Sequence, residues 1–349
     1  MIPRLPSVAP VFVLALACHA PALAQPAGDR PPGQPPAEAQ PVLFGGAVEQ
    51  VADGYTFTEG PCWVQPVNDS GAPAGPGFFL FCDRSPRDGG VVYRWTTEGK
   101  PEAWRTPSGL AIGVATDARG RVYFAETQER RITRASVTPA GPGPVEVLAS
   151  SFDAKRLNAT NDLTVRSDGS VYFTDPTFFT PRAALELDYV GVYRISPEGV
   201  VALVDRFDGM PNGLCFSPDE KRLYVNDFNN NKVYVYDVAP DGGLSNRRLF
   251  ADLTTLGIEG RGRADGIRCD ELGNVYTTGP LGVIVFSPAG EKIGTLVVPN
   301  ASNLAFGGPD GRTMLITAGR AVYRVRTLHA GATPPKPAPQ PARRPTAAP

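Results

Sequence analysis

Glu59, Asn161, Asn212, Asp265 and Asn303 each end in a carboxylate or an amide carbonyl, and they recur at matching places along the chain. The last four stand 11 or 12 residues ahead of the centre of a short strand-like segment, as does Ile112. Glu59, in TEGPCW, holds the same place before the first such segment, behind a longer Pro- and Gly-rich hairpin. One Asn or Asp at such a place is ordinarily a turn residue whose side chain bonds nearby backbone. Several acceptors gathered on one axis are different, because they would be costly to bury unless a cation or water satisfied them. Carboxylate and amide oxygens suit a hard divalent ion, calcium first, then magnesium or manganese, with zinc a further candidate. The chain's two histidines, His19 and His329, lie outside the segment that carries these positions. Ser-His-Asp and Cys-His catalysis and a histidine zinc site are thereby excluded, and a general base must be a carboxylate.

The elements that position these residues repeat. RLNATNDLTVRSDGSVYFTDP at 156–176 reads as two short antiparallel strands around Ser-Asp-Gly, which brings Asn161 and Asp175 to one edge. The second strand recurs as FFLFCD, RVYFAE, SVYFTD, RLYVND, NVYTTG and TMLITA, with centres 43, 49, 52, 52 and 39 residues apart. A third strand follows each copy, and no segment sustains helical periodicity. This period predicts an all-β, six-bladed β-propeller, since one small sheet cannot bury both faces until it packs in a ring. The sixth copy lacks a fourth strand, and PVLFGGAVEQV at 41–51 is expected to supply it and close the ring. First strands line a propeller's channel, so the five oxygen-bearing openers should meet at one mouth. The ends of the second strands, Asp83, Glu126, Asp175 and Asp227, should join them there.

Residues 1–24 read as a secretory signal peptide, 25–40 as a Pro-rich linker, 41–328 as the propeller and 329–349 as a disordered Pro/Ala-rich tail. The protein is therefore expected to be exported, to the periplasm or beyond. Cys18 is a poor match to a lipoprotein cleavage box, and no stretch is long enough to span a membrane. A formal net charge of -1 argues against a nucleic-acid partner. Cys62 and Cys82 flank a turn between apparent partner strands, where either a disulfide or two buried thiols would fit. There is no C-x-x-C motif.

The pieces EGPCW at 59–63, PNGLCFSPDEKRLYVND at 211–227, DGIRCDELGNVYTTGPLGVIVFSPAGEKIG at 265–294 and NLAFGGPDGRTMLITA at 303–318, together with the hairpin at 156–176, resemble the SMP-30/gluconolactonase-like six-bladed propellers. The resemblance covers the whole propeller and is nearest to the bacterial gluconolactonase branch. It implies hydrolysis of a sugar lactone or another lactone, a small-molecule substrate, beside one divalent cation at the channel mouth. Carried onto this chain, it implies Glu59, Asn161 and Asp227 as metal ligands, with Asn212, and in some relatives Asp265, joining them. Asp227 would also remove a proton from the attacking water or hold that water in place. Asp175, followed by Pro176, would be a structural cap. The resembled substrate contacts of the second blade do not map clearly; AETQERR offers Glu126 and Gln128. The acid-rich mouth favours a neutral substrate. Two other readings remain open on this scaffold: a non-catalytic periplasmic binding propeller, and a metal-dependent esterase or phosphotriesterase.

Overall fold

The computed structural model describes residues 43–332 apart from 69, 139 and 140. The expected signal peptide and linker, and all of the expected tail beyond Ala332, lie outside the described residues. Six four-stranded antiparallel sheets succeed one another, and in five of them the strands follow chain order. Their inner strands are Thr58–Val64, Ala111–Thr116, Leu163–Val165, Pro211–Phe216, Ile267–Cys269 and Ala301–Gly307. Each packs against the inner strand of the sheet before and after it, and Thr58–Val64 meets Ala301–Gly307 to complete a ring. The fold is a six-bladed β-propeller, as the repeat predicts.

Blade packing explains the residue pattern. Second strands such as Val122–Glu126 and Val171–Asp175 are buried throughout because both faces are covered by neighbouring blades, so they read as apolar runs rather than alternations. Six hydrophobic clusters fill the six interfaces between blades. The recurring central tyrosine reaches into them: Tyr172 meets Phe216 of the next blade edge-to-face at 5.1 Å, and Tyr276 meets Phe306 in the same way at 5.1 Å.

The ring closes on the N-terminal segment. Glu49–Asp53 is the fourth strand of blade six, antiparallel to Ala321–Arg326, with Gln50 opposite Tyr323 and Asp53 opposite Ala321. Two expectations need adjustment. The propeller does not end at residue 328, because Gly331 bridges to Asp270 and the Ala332 amide donates to Cys269 O. His329, expected in the tail, thus belongs to the folded body, its Nδ1 4.0 Å from Glu271 Oε1. Cys62 lies opposite Leu80 and Cys82 opposite Glu59, so the two cysteines share paired strands without facing each other. All four cysteines of the propeller are buried free thiols. Among the described residues no helix is long and apolar enough to cross a membrane.

Candidate functional site

The openers sit where the inner strands are irregular. The ladder register shifts between Glu59 and Cys62, Ala111 and Gly113, Pro211 and Leu214, and Ala301 and Asn303. In blades three and five the regular strand starts two residues after Asn161 and Asp265. Such bulges re-aim side chains, here towards the axis. Glycine follows four of the openers, and Gly213 shows why: a Cβ there would lie 2.1 Å from Asp265 O. The Gly213 amide instead donates to that carbonyl at 2.9 Å. Blade three departs from this pattern, because Asp162 follows Asn161 and adds a carboxylate to the mouth.

Glu59, Asp265, Asn212, Asn303 and Asp162 are all buried polar groups or, for Asp265, buried at its carboxyl, and they act on one another. Burial pushes the Glu59 carboxyl up to about 8, and Asp162 raises it further, against opposing contributions from the Gly60 amide, Asn303 and Arg84. Asp265 is held well above the usual carboxylate range by burial, then by Glu59 and Asp162, while a hydrogen bond from Asn212 opposes the rise. Asn212 Oδ1 is itself buried and has no hydrogen-bond partner. Asp162 is balanced differently: Arg268 lies 3.6 Å away, and the Leu163 amide and Asn303 Nδ2 donate to it at 2.8 and 3.4 Å. Asn161, buried at the opening of blade three, is tied through its backbone amide to Thr174 O at 3.0 Å.

Asp227 plays another part. Its Oδ1 accepts from the Met210 and Asn230 amides at 3.1 and 3.3 Å, and its Oδ2 from Asn230 Nδ2 at 2.7 Å. Asp175 accepts from the Asn158 and Ala159 amides at 2.7 and 2.8 Å, and Asp83 from Thr56 and Phe57 at 2.9 and 3.0 Å. All three carboxylates hold the loop that leads into the inner strand of their own blade. Asp227, expected to bind metal and take a proton, has its oxygens engaged by backbone and by Asn230.

Glu126 is likewise committed. It is fully buried, with Arg105 Nη2 at 2.6 Å, Arg131 Nε at 2.7 Å and Thr133 Oγ1 at 2.7 Å. It forms an ion-pair knot between strands of blades one and two. Glu126→Ala is expected to cost on the order of 3–5 kcal/mol of unfolding free energy, because it leaves buried guanidinium charge unpaired. Denaturant titration measures this, and a loss near zero would return Glu126 to the list of binding residues. Gln128 lines a cavity of about 490 Å³ with Arg84, Leu110, Arg156 and Phe179. Arg84 links that cavity to the mouth, since its charge acts on Glu59.

Among the described residues no group of three or more His, Cys, Asp or Glu side chains converges as a metal cluster. The donors here are of mixed type: two desolvated carboxylates, Glu59 and Asp265, and the orphaned Asn212 oxygen. Among the described residues neither carboxylate is in an ion pair, and all three are hard oxygens, so the set fits a divalent cation of the calcium or magnesium kind.

The fold is a six-bladed propeller whose inner strands open on buried carboxylates and amides that act on one another. The chain matches the model of the SMP-30/Gluconolactonase/LRE-like region over residues 80–320, and it belongs to that family. A curated gluconolactonase of Zymomonas mobilis is 30% identical over 305 residues, covering 80% of this chain and 81% of its own. A solved gluconolactonase of Xanthomonas campestris superposes with a TM-score of 0.68 at 29% identity, covering 82% of this chain and 91% of that one. A calcium-binding regucalcin of Agrobacterium tumefaciens shares the fold, with a TM-score of 0.65 at 18% identity over 84% of this chain and 98% of that one.

Proposed function

We propose that this protein is a lactone hydrolase that opens a sugar lactone at the channel mouth beside one divalent cation. The observation that carries the reading is the buried Glu59–Asp265 pair with the unpartnered Asn212 oxygen beside it. The two gluconolactonases named above support the same reaction. Glu59, Asn212 and Asp265 would hold the cation, with Asn161 opening blade three beside them. When bound, the cation supplies Lewis-acid polarisation of the lactone carbonyl.

The remaining steps fall to the protein. Asp265 would accept a proton at its carboxylate from the attacking water, or hold that water in place, and would return the proton to the leaving oxygen. The water oxygen adds to the carbonyl carbon, the ring C–O bond breaks, and the leaving alkoxide takes a proton to give the hydroxy acid. Asn212 stands beside Asp265 and lowers its carboxyl against the rise that burial causes. Asp227, Asp175 and Asp83 keep the openers in place by holding the loops behind them.

Hydrolysis of glucono-1,5-lactone by chelated and cation-reconstituted protein tests the proposal. Activity that disappears with chelator and returns with calcium or magnesium is expected. Cation binding with no turnover of any lactone would favour the binding-propeller reading, and turnover of aryl esters or phosphotriesters alone would favour the third.

Stability should report the same site. The Glu59 carboxyl lies near 8 in the folded chain against 4.5 for the free group. A carboxyl raised on folding contributes stability that is full below its unfolded pKa and is lost as pH rises through the folded value. Chelated protein is therefore expected to lose melting temperature between about pH 4.5 and 8. Added cation should restore more of it at pH 8 than at pH 5. A melting temperature in chelator that climbs across that window would contradict the assignment.

A further inference from the structure

The cavity of about 490 Å³ beside the mouth is basic, although the mouth itself is acidic. Its lining includes Arg84, Arg130 and Arg156 and no carboxylate. Arg130 is occupied structurally: its guanidinium donates to the backbone oxygens of Leu157, Ala184 and Arg156. Arg156 donates to Glu129 O at 3.1 Å, and the nearby Glu186 carboxylate accepts from the Arg156 backbone amide at 2.7 Å rather than from the guanidinium.

Arg84 is the group left over. Its backbone amide is fixed to Phe57 O at 2.9 Å, so the side chain leaves the end of blade one's second strand at a set place. Its Nε is buried without a hydrogen-bond partner, and the ion pairs of the described residues do not include it. The guanidinium stacks on Phe179, 3.9 Å from the ring centroid, and approaches Phe57 at 5.5 Å. Phe179 is 64% exposed and holds φ at 61°, a left-handed conformation that bulky residues rarely take. Such outliers cluster where a ligand must be gripped. A planar cation 3.9 Å from one aromatic ring centroid and 5.5 Å from another, in no ion pair among the described residues and lining a cavity, presents the fork that matches carboxylate, sulfonate or phosphate oxygens.

We infer that this cavity receives the part of the substrate remote from the scissile ester and takes an anionic substituent there on the Arg84 guanidinium. The inference rests on the lactone-hydrolase reading and narrows it to lactones of acidic sugars. It also reverses the expectation, drawn from the acid-rich mouth, of a neutral substrate. The acids face the reacting carbonyl and the arginines face the far end of the molecule, so a lactone bearing one remote negative charge matches both.

The test compares kcat/KM for glucono-1,5-lactone, 6-phosphoglucono-1,5-lactone and D-glucaro-1,4-lactone in the wild type, Arg84→Gln and Arg84→Lys. The wild type should prefer at least one charged lactone, and the phosphate and carboxylate arms identify which anion. Loss of charge-assisted hydrogen bonds should lower the charged-to-neutral ratio in Arg84→Gln by roughly 10- to 100-fold, mainly through KM, with part retained in Arg84→Lys. Preference for the neutral lactone, or a ratio that Arg84→Gln leaves unchanged, overturns the inference. Calorimetric titration with 6-phosphogluconate, glucarate and gluconate reads the subsite without turnover. Tighter binding of 6-phosphogluconate or glucarate, which carry a second anionic group at the end remote from the carboxylate that all three share, lost in Arg84→Gln, upholds the subsite even in a protein that opens no lactone. Equal binding of all three overturns it.

Discussion

Asp265→Asn should lower kcat/KM for lactone opening by about 10²- to 10⁴-fold, the range for losing a general base, and should weaken cation binding at the same time. Asp227→Asn should lower kcat/KM by less than about tenfold and instead cost roughly 1–2 kcal/mol of stability, as a lost cap does. The contrast follows from where each carboxylate spends its oxygens. The Asp265 carboxyl is raised by burial and by the Glu59 and Asp162 charges, with only Asn212 opposing the rise. Asp227 receives three hydrogen bonds from Met210 and Asn230. An asparagine at 227 keeps one acceptor oxygen for the Met210 amide, whereas at 265 it removes the charge that would balance a cation. Steady-state kinetics and calcium titration calorimetry on both variants decide the matter. Comparable losses of activity would return Asp227 to the metal site, and a larger loss at 227 would mean that the reacting carbonyl lies nearer blade four's loop.

The propeller and its mouth could be read from the chain because they are periodic. The second-strand copies that end at Asp83, Glu126, Asp175 and Asp227 gave the blades, and the openers gave the oxygens. The same periodicity misled at Asp227. Asp83, Asp175 and Asp227 occupy one repeat position and do one structural job, which only their hydrogen bonds reveal. Glu126 holds that position too, but Arg105, from the outer strand of blade one, turns it into an ion pair. That partner comes from another blade, where the repeat alone gives no signal. The residues that went unnoticed are departures from the repeat. Asp162 stands where four other blades have glycine, and Arg268 is a cation within an inner strand. Arg84 follows a second-strand aspartate whose repeats are followed by Pro176 and Phe228. Non-repeating charge at a repeating position is the signal that would have found them.

Removing residues 41–53 should abolish cooperative folding or lower the melting temperature by tens of degrees, because those residues close the ring. Their own burial is modest, since Glu49–Asp53 is largely half-exposed. The effect comes from what they cover. Without them Ala321–Arg326 becomes an edge strand, and the cluster at the interface of blades five and six loses Leu43, Phe44 and Val48. Val51 is lost from the cluster between blades six and one. Each buried aliphatic side chain contributes about 1.5–3 kcal/mol, and a whole domain retains only about 5–15 kcal/mol, so losing several is comparable to the total. Blade six also reaches blade one directly: Ser302 Oγ donates to Thr58 O at 2.8 Å, and the Thr58 amide donates to Gly319 O at 2.7 Å. Those bonds hold only while blade six is itself a complete sheet. Leu43→Ala gives a graded form of the same test. It should cost about 2–5 kcal/mol as a buried leucine truncation, read by denaturant unfolding, with the wild-type charged-to-neutral lactone ratio kept in the folded fraction. A truncated chain that melts at the wild-type temperature would show that the inner ring holds without its closing strand.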